Sequence, residues 1–225
     1  MKYKTLYIDP PWPEFGGGKI KRGADRHYPL MSEQEILALP VRNLSEENCH
    51  LYLWVTNNYL PLGLRCIERW GFRYVTKVTW VKINRMQPSS DQFGLGQYFR
   101  GITEDCLFAV RGNLPYRTRD DGKRAQGKTV IMSPRREHSQ KPDEMRTMIE
   151  LVSHEPRLEL FARNAFTGWD VWGRDCESSI EIINGVARSL IEADLPQSNE
   201  IKEEFRTLAD SRSHETDCGG QPRLF

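Results

Sequence analysis

The sequence of 225 residues lacks several features that would assign it to a common class. It contains no apolar run long enough to cross a membrane, no signal-peptide pattern at its start and no internal repeat. Its five cysteines lack metal-ligand spacing. The glycines Gly16-Gly17-Gly18 fit neither the P-loop nor the dinucleotide fingerprint. These absences predict a cytoplasmic protein with reduced thiols, no membrane partner and no metal site.

Charge is unevenly distributed along the chain, although the net charge is only +1. Residues 177–225 hold ten acids and five bases, so they carry −5 and leave +6 on the first 176 residues. A basic body is compatible with a polyanionic partner, although solvated faces also produce such an imbalance. We predict one domain over residues 1–176, a helical appendage over 177–210 and a disordered tail over 211–225.

Apolar strands alternate with amphipathic helices along most of the chain. This alternation predicts an α/β fold, with a doubly wound, mostly parallel sheet covered by helices on both faces. Ser32 to Glu35 forms a capping box, and Asn57 or Asn58 is expected to cap a later helix. The predicted strands are Leu6–Ile8, Cys49–Thr56, Tyr74–Val81, Glu104–Arg111, Thr129–Met132, Arg157–Ala162 and Trp169–Gly173, and the predicted helices are Leu60–Trp70, one from His138–Glu144 to Val152, Ser178–Arg188 and Glu200–Ala209.

The stretch Asp9-Pro10-Pro11-Trp12 directly follows the first strand. Consecutive prolines have fixed φ and no N–H group, so the chain leaves the strand in a stiff form with the Pro10 carbonyl free to accept a hydrogen bond. A carboxylate, a carbonyl and a ring within four residues can hold a flat heterocycle by its amino group. The alternative is an Asp-Pro turn followed by a core tryptophan.

Two segments are candidates for contact with phosphate. The glycine-containing loop 13–28 is predicted to close over a substrate. Leu114–Arg136 holds seven bases against two acids and is either a solvated loop or a phosphate-binding surface near the active site. The candidate phosphate ligands are Lys19, Lys21, Arg22, Arg117, Arg119, Lys123, Arg124, Arg135 and Arg136.

Seven separated motifs occur in the order found in one known family. They are Asp9–Trp12, His27–Ser32, Leu53–Thr56, Trp80–Lys82, Gly94–Glu104, Lys141–Glu144 and Glu159–Arg163. Over residues 3–176 the chain resembles the MT-A70 family of S-adenosylmethionine-dependent N(6)-adenine methyltransferases, of bacterial or phage type. The resemblance implies a Rossmann-like methyltransferase fold in permuted order, with the catalytic motif first and the cofactor-binding strand late.

The resemblance also implies roles for individual residues. Asp9 and the Pro10 carbonyl would accept hydrogen bonds from the adenine amino group, and Pro11 completes the motif. The aromatic residues Trp12, Tyr28 and Tyr98 would lie around the base, with Glu104 supporting the neighbouring contacts. Lys141 would pair with the methionine carboxylate and Arg163 would contact the ribose. The predicted cofactor-binding residues are Ile8, Asp9, Lys141, Arg163, Asn164, Arg174 and Asp175.

The chain also departs from the family pattern. Ala165-Phe166 stands where several members have His-Asn, and Arg174-Asp175 stands where others have Asn-Gln. The function predicted from the resemblance is methylation of adenine in DNA, with homodimers or heterodimers with a related subunit as possible assemblies. RNA adenine methylation, an inactive nucleic-acid-binding scaffold and a binding module that uses the prolines only as a turn are the alternatives.

Overall fold

A seven-stranded sheet with helices on both faces forms the body of the protein. The computed structural model describes residues 1–14, 29–83, 98–135 and 140–190. A separate two-stranded hairpin follows the sheet. In chain order the elements are β1 (Tyr3–Ile8), α1 (Glu33–Leu37), α2 (Val41–Leu44), β2 (Ser45–Val55), α3 (Leu60–Arg69), β3 (Arg73–Ile83), β4 (Thr103–Arg111), β5 (Val130–Pro134), α4 (Asp143–Val152), β6 (Arg157–Leu160), β7 (Asp170–Trp172), β8 (Ile180–Ile183) and β9 (Val186–Ser189).

The strand order of the sheet is β5-β3-β4-β2-β1-β6-β7. β4 is antiparallel to both of its neighbours, whereas every other adjacent pair is parallel. The predicted α/β fold with a mostly parallel sheet is therefore confirmed. β1 comes first in the chain but lies in the middle of the sheet beside the late strand β6, as the permuted order requires.

Two apolar cores lie on opposite faces of the sheet. Alternate residues of β2 supply both cores, with Leu51 and Leu53 on one face and Tyr52 and Trp54 on the other. Helices α1 to α3 cover the first face, while Met145 of α4 covers the second. Burial on both faces explains why these strands are apolar almost throughout. Trp54 and Trp80 are buried, as predicted, and Trp172 is half-buried.

The predicted crossover from β2 through α3 to β3 does join two strands that run in the same direction, but these two strands are not adjacent in the sheet. β4 lies between them and pairs antiparallel with both, through Tyr52↔Phe108 and Val78↔Cys106. A pattern of strand, helix and strand predicts a parallel crossover but does not show that a later strand will be inserted between the two. This insertion brings the start of β4 to the edge where β1 ends.

Of the two predicted helix caps, one is confirmed and one is wrong. The Ser32 backbone N–H donates to Glu35 Oε2 at 2.7 Å, and the Glu35 N–H donates to Ser32 Oγ at 3.3 Å, which is the capping box. No side chain caps α3, because Asn57–Tyr59 form a short 3-10 turn that leads directly into it. The preceding turn takes the place of the expected asparagine cap.

The helix predicted over Ser178–Arg188 is wrong, because the hairpin β8–β9 occupies these residues. Asn184 and Gly185 have φ angles of 49° and 75°, the conformation of a two-residue hairpin turn for which Asn-Gly is the preferred sequence. Ile180 and Ala187 are buried against the first core. The expectation that the chain beyond residue 176 begins as a helical appendage therefore does not hold over the hairpin.

Several predicted features lie outside the described residues. They are the glycine loop with Lys19, Lys21, Arg22 and Tyr28, the loop 84–97, Arg136, His138, and the helix and tail predicted beyond residue 190. Within the described ranges, Cys49, Cys66, Cys106 and Cys176 are free thiols. No helix in this part of the chain is long and apolar enough to cross a membrane.

Candidate active site

The carboxyl ends of the parallel strands meet at one edge of the sheet, and the candidate site lies there. Asp9 follows β1 directly, and Glu104 lies at the start of the antiparallel β4, so both carboxylates reach the same edge. Lys141 joins them from the segment just before α4, which begins at Asp143 rather than at the predicted earlier residues. This edge is the usual position for ligand sites in open α/β sheets.

Four charged side chains form an alternating network at this edge. Lys141 Nζ lies 2.7 Å from Asp9 Oδ2 and 3.3 Å from Glu104 Oε2. Lys82 Nζ lies 2.5 Å from Glu104 Oε1. The exposed fractions of these side chains are only 15 to 24%. Because partly buried charges need partners, the two lysines and two carboxylates compensate one another.

Two tryptophan rings lie beside the lysines of this network. Lys141 Nζ is 5.5 Å from the centre of the Trp54 ring, and Lys82 Nζ is 5.0 Å from the centre of the Trp80 ring. The Trp54 indole N–H donates to the Tyr7 hydroxyl at 2.6 Å, which fixes the orientation of the ring. The lysine ammonium groups are therefore held by cation–π contacts as well as by the carboxylates.

The two carboxylates of the network differ in acidity. Burial raises the pKa of Asp9, and the opposing effect of the single neighbouring lysine, Lys141, is not enough to offset it. Burial also acts to raise the pKa of Glu104, but Lys141 and Lys82 together outweigh it and the pKa is lowered. Glu104 is thus the firmly ionised member, and Asp9 is the more proton-sensitive one.

The backbone after Asp9 turns more tightly than the sequence predicts. The Trp12 N–H donates to the Pro10 carbonyl at 2.8 Å, so this carbonyl is not free and retains one lone pair for another donor. Trp12 is only 5% exposed, and its ring stacks on Tyr59 with centroids 5.6 Å apart. Its indole N–H donates to the Trp54 carbonyl at 3.0 Å. In this structure Trp12 packs as a core residue, and its contact with a base stays a prediction.

An open cleft of about 500 Å³ extends from Asp9 along the start of α4 and the end of β6. This volume includes space that is open to solvent. Of the predicted cofactor-binding residues, four line the cleft. Ile8 is fully buried in the core, and Arg174 and Asp175 are exposed and outside the described lining. The lining residues are Tyr7, Asp9, Gln140, Lys141, Pro142, Asp143, Arg146, Glu159, Phe161, Arg163, Asn164 and Phe166.

Comparison with known proteins assigns the family. The family model described as MT-A70 matches residues 3–175. The chain belongs to the MT-A70 family. It is 33% identical over 202 residues to an N(6)-adenosine-methyltransferase MT-A70-like protein of Arabidopsis thaliana, covering 87% of this chain and 27% of that protein. It is 30% identical over 183 residues to the human N(6)-adenosine-methyltransferase catalytic subunit METTL3, covering 78% of this chain and 28% of METTL3.

A third relative matches over most of both chains. It is the type II methyltransferase M.MunI of Mycoplasma sp, 30% identical over 205 residues, which cover 80% of this chain and 81% of M.MunI. The chain spans less than a third of the length of the Arabidopsis and human relatives. The assignment to the MT-A70 family therefore applies to residues 3–175.

The cleft also contains residues to which the sequence analysis assigned no role in the site. Arg146 projects from α4, Glu159 lies in the middle of β6, and Phe166 belongs to the Ala165-Phe166 departure from the family pattern. An acid between two buried leucines of β6 was an available signal for Glu159. Behind the cleft, a Cβ atom added to Gly173 would lie 2.7 Å from the Ala162 backbone nitrogen, so only glycine lets the ends of β6 and β7 approach this closely.

The basic segment after β4 lies at the opposite edge of the sheet from Asp9. The Arg117 N–H donates to the Val152 carbonyl at 3.0 Å, at the far end of α4 from Lys141, and this helix is about 15 Å long. Arg117, Arg119, Lys123 and Arg124 therefore belong to a segment that packs near the end of α4, and their contact with phosphate stays a prediction. Arg135 follows the parallel strand β5 and lies at the active-site edge. Tyr98, 91% exposed, precedes β4 at that edge.

Proposed function

We propose that this protein transfers a methyl group from S-adenosylmethionine to the exocyclic amino group of adenine in DNA. The observation that carries the proposal is the Asp9 carboxylate at the mouth of the cleft, held by Lys141 at 2.7 Å and followed by the Pro10 carbonyl. Membership of the MT-A70 family supports the reaction. The choice of DNA rests on the type II methyltransferase M.MunI, a relative that matches along most of both chains.

The residues of the cleft fit a zwitterionic adenosine derivative. Lys141 would hold a carboxylate, and Arg163 and Asn164 would contact the ribose, while the cleft also offers the Phe161 and Phe166 rings as apolar surface. When bound, S-adenosylmethionine supplies a methyl group on a positively charged sulfonium, which is the electrophile of the reaction.

Asp9 and the Pro10 carbonyl would orient the adenine amino group. This nitrogen is a poor nucleophile because its lone pair is conjugated with the ring, and two acceptors on its hydrogens favour a more pyramidal form. Lys141 contacts Asp9 through Oδ2. The remaining lone pairs of the carboxylate stay open to an N–H donor, and so does the second lone pair of the Pro10 carbonyl.

Glu104 would support this arrangement by sharing Lys141 with Asp9. Because Lys82 also pairs with Glu104, the carboxylate is fixed from two sides and holds Lys141 at the cleft. A cofactor carboxylate arriving at Lys141 would therefore meet an ammonium group already in position. Preorganised charge of this kind requires no rearrangement when the ligand binds.

The target base has to leave a duplex, or be single-stranded already, to reach Asp9. The exposed ring of Tyr98 and the guanidinium of Arg135 lie at the same edge and would contact the base and a phosphate. Lys19, Lys21, Arg22 and Arg136 are further proposed phosphate contacts, and Tyr28 a further proposed base contact. A homodimer, or a heterodimer with a related subunit, would supply additional contacts for recognition of the nucleic acid.

Methyl transfer to three polymers in parallel tests the proposal. Duplex DNA, single-stranded DNA and RNA of matched adenine content are incubated with tritiated S-adenosylmethionine, and Asp9→Asn serves as the inactive control. We expect adenine labelling in DNA that the variant lacks. Labelling of RNA alone would change the proposal to methylation of adenine in RNA. Labelling of no polymer would favour the scaffold alternative.

A further inference from the structure

The catalytic motif and the residue after it contain few backbone N–H groups. Pro10, Pro11 and Pro13 have none, so this segment cannot be paired into the sheet as β1 is. The segment is held through its carbonyl groups instead. The Pro11 carbonyl accepts from the Met31 N–H at 3.0 Å, and the Pro13 carbonyl accepts from the Tyr59 hydroxyl at 2.5 Å. The position of the motif therefore depends on donors that lie outside it.

Tyr59 makes two contacts with this segment. Its ring stacks on the Trp12 ring, with centroids 5.6 Å apart and an interplanar angle of 15°. Its hydroxyl donates to the Pro13 carbonyl. Burial raises the pKa of Tyr59, and the neighbouring Glu14 and Glu33 add to this effect, so the hydroxyl keeps the proton that it donates. A single side chain thus holds two successive residues directly after the catalytic prolines.

Tyr59 is itself held by regular structure. It ends the short 3-10 turn between β2 and α3, and its N–H donates to the Thr56 carbonyl at 3.0 Å. The Thr56 hydroxyl donates to Glu14 Oε1 at 2.5 Å, which ties the same turn to the chain after the motif. Helix α3 lies tightly against β2, since a Cβ atom added to Gly63 would lie 2.5 Å from Val55 Cγ1. The turn is therefore a fixed support for the Tyr59 side chain.

The stiffness of the prolines carries this support back to Pro10. Their φ angles are restricted to a narrow range, so a fixed Trp12 and Pro13 leave the Pro10 carbonyl few directions in which to point. Trp12 is only 5% exposed, and its indole N–H donates to the Trp54 carbonyl, so the ring cannot shift without losing that bond. Within the described residues, the lining of the cleft includes neither Trp12 nor Tyr59. Tyr59 is thus expected to act on the acceptors for the base and not on cofactor binding.

We propose that Tyr59 is a positioning residue for methyl transfer, which fixes the Pro10 carbonyl beside Asp9 by holding Trp12 and Pro13. The inference rests on the proposed function, in which these two acceptors orient the adenine amino group. It adds a residue outside the motif to the machinery of the reaction. It also gives the Trp12 ring the task of transmitting this support, in agreement with its burial under Tyr59.

Two substitutions separate the hydroxyl of Tyr59 from its ring. Tyr59→Phe removes only the bond to Pro13, and Tyr59→Leu removes the stacking as well. Methyl transfer by the full chain is measured well below the melting temperature, with kcat and KM for the polymer that the wild type labels, and S-adenosylhomocysteine binding is measured by calorimetry. We expect kcat to fall about fivefold in Tyr59→Phe and about 30- to 100-fold in Tyr59→Leu, while KM and the Kd of S-adenosylhomocysteine change less than about twofold.

The matched control is Tyr52→Phe. It removes the same atom from a buried tyrosine on the other face of the sheet, whose hydroxyl lies 2.7 Å from Ser153 Oγ. This variant should have a lower melting temperature and an unchanged kcat. If Tyr59→Phe behaves in the same way, its hydroxyl is structural and the inference is overturned.

The separation of kcat from KM excludes a direct contact. A rise in KM for the polymer at unchanged kcat would show that Tyr59 touches the nucleic acid, and this result would also overturn the inference. Should Tyr59→Leu fail to fold, Tyr59→Phe decides alone. Wild-type protein that labels neither DNA nor RNA would instead overturn the proposed function, and the inference with it.

Discussion

The two ends of helix α4 lie against two different polar networks. At its start, Lys141, Asp9, Glu104 and Lys82 form a charged network. Just past its end, Ser153 Oγ lies 2.8 Å from His50 Nδ1 and 2.7 Å from the Tyr52 hydroxyl. The His50 Nε2 atom lies 3.1 Å from the Leu114 carbonyl. His50 is 2% exposed and Ser153 is fully buried.

One face of β2 connects the two networks. His50, Tyr52 and Trp54 alternate along this strand, and Trp54 lies beside Lys141 at the charged end. The network at His50 uses uncharged groups that satisfy one another, which is the arrangement expected of a structural element. The network at Asp9 keeps charges that burial disfavours. This difference supports a structural role for the network at His50 and is consistent with the catalytic role proposed for the network at Asp9.

Removing Asp9 should have the largest effect. Asp9→Ala should lower the rate of methyl transfer by a factor of about 10² to 10³ or more, because an acceptor for the adenine amino group is lost. Since burial raises the pKa of Asp9, its charge is disfavoured in the fold, and the melting temperature of the variant should stay equal or rise. The measurements are tritiated-methyl transfer and thermal unfolding. Transfer at the wild-type rate would show that Asp9 is not the acceptor.

Two neighbouring acids of β4, Glu104 and Asp105, allow a controlled test in which a smaller effect is expected. Glu104→Gln should reduce methyl transfer about tenfold, because Lys141 and Lys82 both lose a charged partner. Asp105 pairs with Lys77 at 2.7 Å on the opposite face of the sheet, so Asp105→Asn should leave the rate unchanged. Rate constants at saturating S-adenosylmethionine make the comparison. Equal losses in both variants would contradict a specific role for Glu104.

The sequence was sufficient to predict the structural features that depend on strand order and on the local pattern of residues. Apolar runs located all seven strands of the sheet. The family resemblance implied that Asp9 and Lys141 converge, and the structure explains why, since the ends of parallel strands meet at one edge and the segment before a covering helix lies above it. The capping box was readable because its two residues are only three positions apart. In each case the determining interaction is local, or is fixed by the topology.

The features that the sequence did not predict depend on how the elements pack. The direction of Arg146 follows from the rotation of α4 on the sheet, which the spacing of apolar residues defines only coarsely. The position of Arg117 depends on the antiparallel direction of β4, which places the end of this strand at the edge far from Asp9. The hairpin at Asn184-Gly185 is different, because the Asn-Gly turn signal is present in the sequence although the segment was predicted to be a helix.

The smallest expected effect is a change in the free energy of unfolding, through the pH-dependent contribution of His50. Burial lowers the pKa of His50 from its ordinary 6.5, although the Leu114 carbonyl opposes this, so the folded chain binds a proton less readily than the unfolded chain. The contribution of His50 to stability is therefore fully present above pH 6.5. It is lost as the pH falls from there through the lower pKa of the folded state, by at most about 1.4 kcal/mol per pH unit.

Urea unfolding of the wild type and of His50→Gln at pH 5 to 8 measures this contribution. Above pH 6.5 the variant should be less stable by about 1 to 2 kcal/mol, because buried hydrogen bonds are lost. The difference should shrink as the pH is lowered, since only the wild type loses the contribution of a neutral buried imidazole. Affinity for S-adenosylhomocysteine should be the same in both proteins at pH 7, because His50 lies at the far end of α4 from Lys141. A difference in stability that is constant with pH, or a loss of ligand affinity, would show that the two networks do not have separate roles.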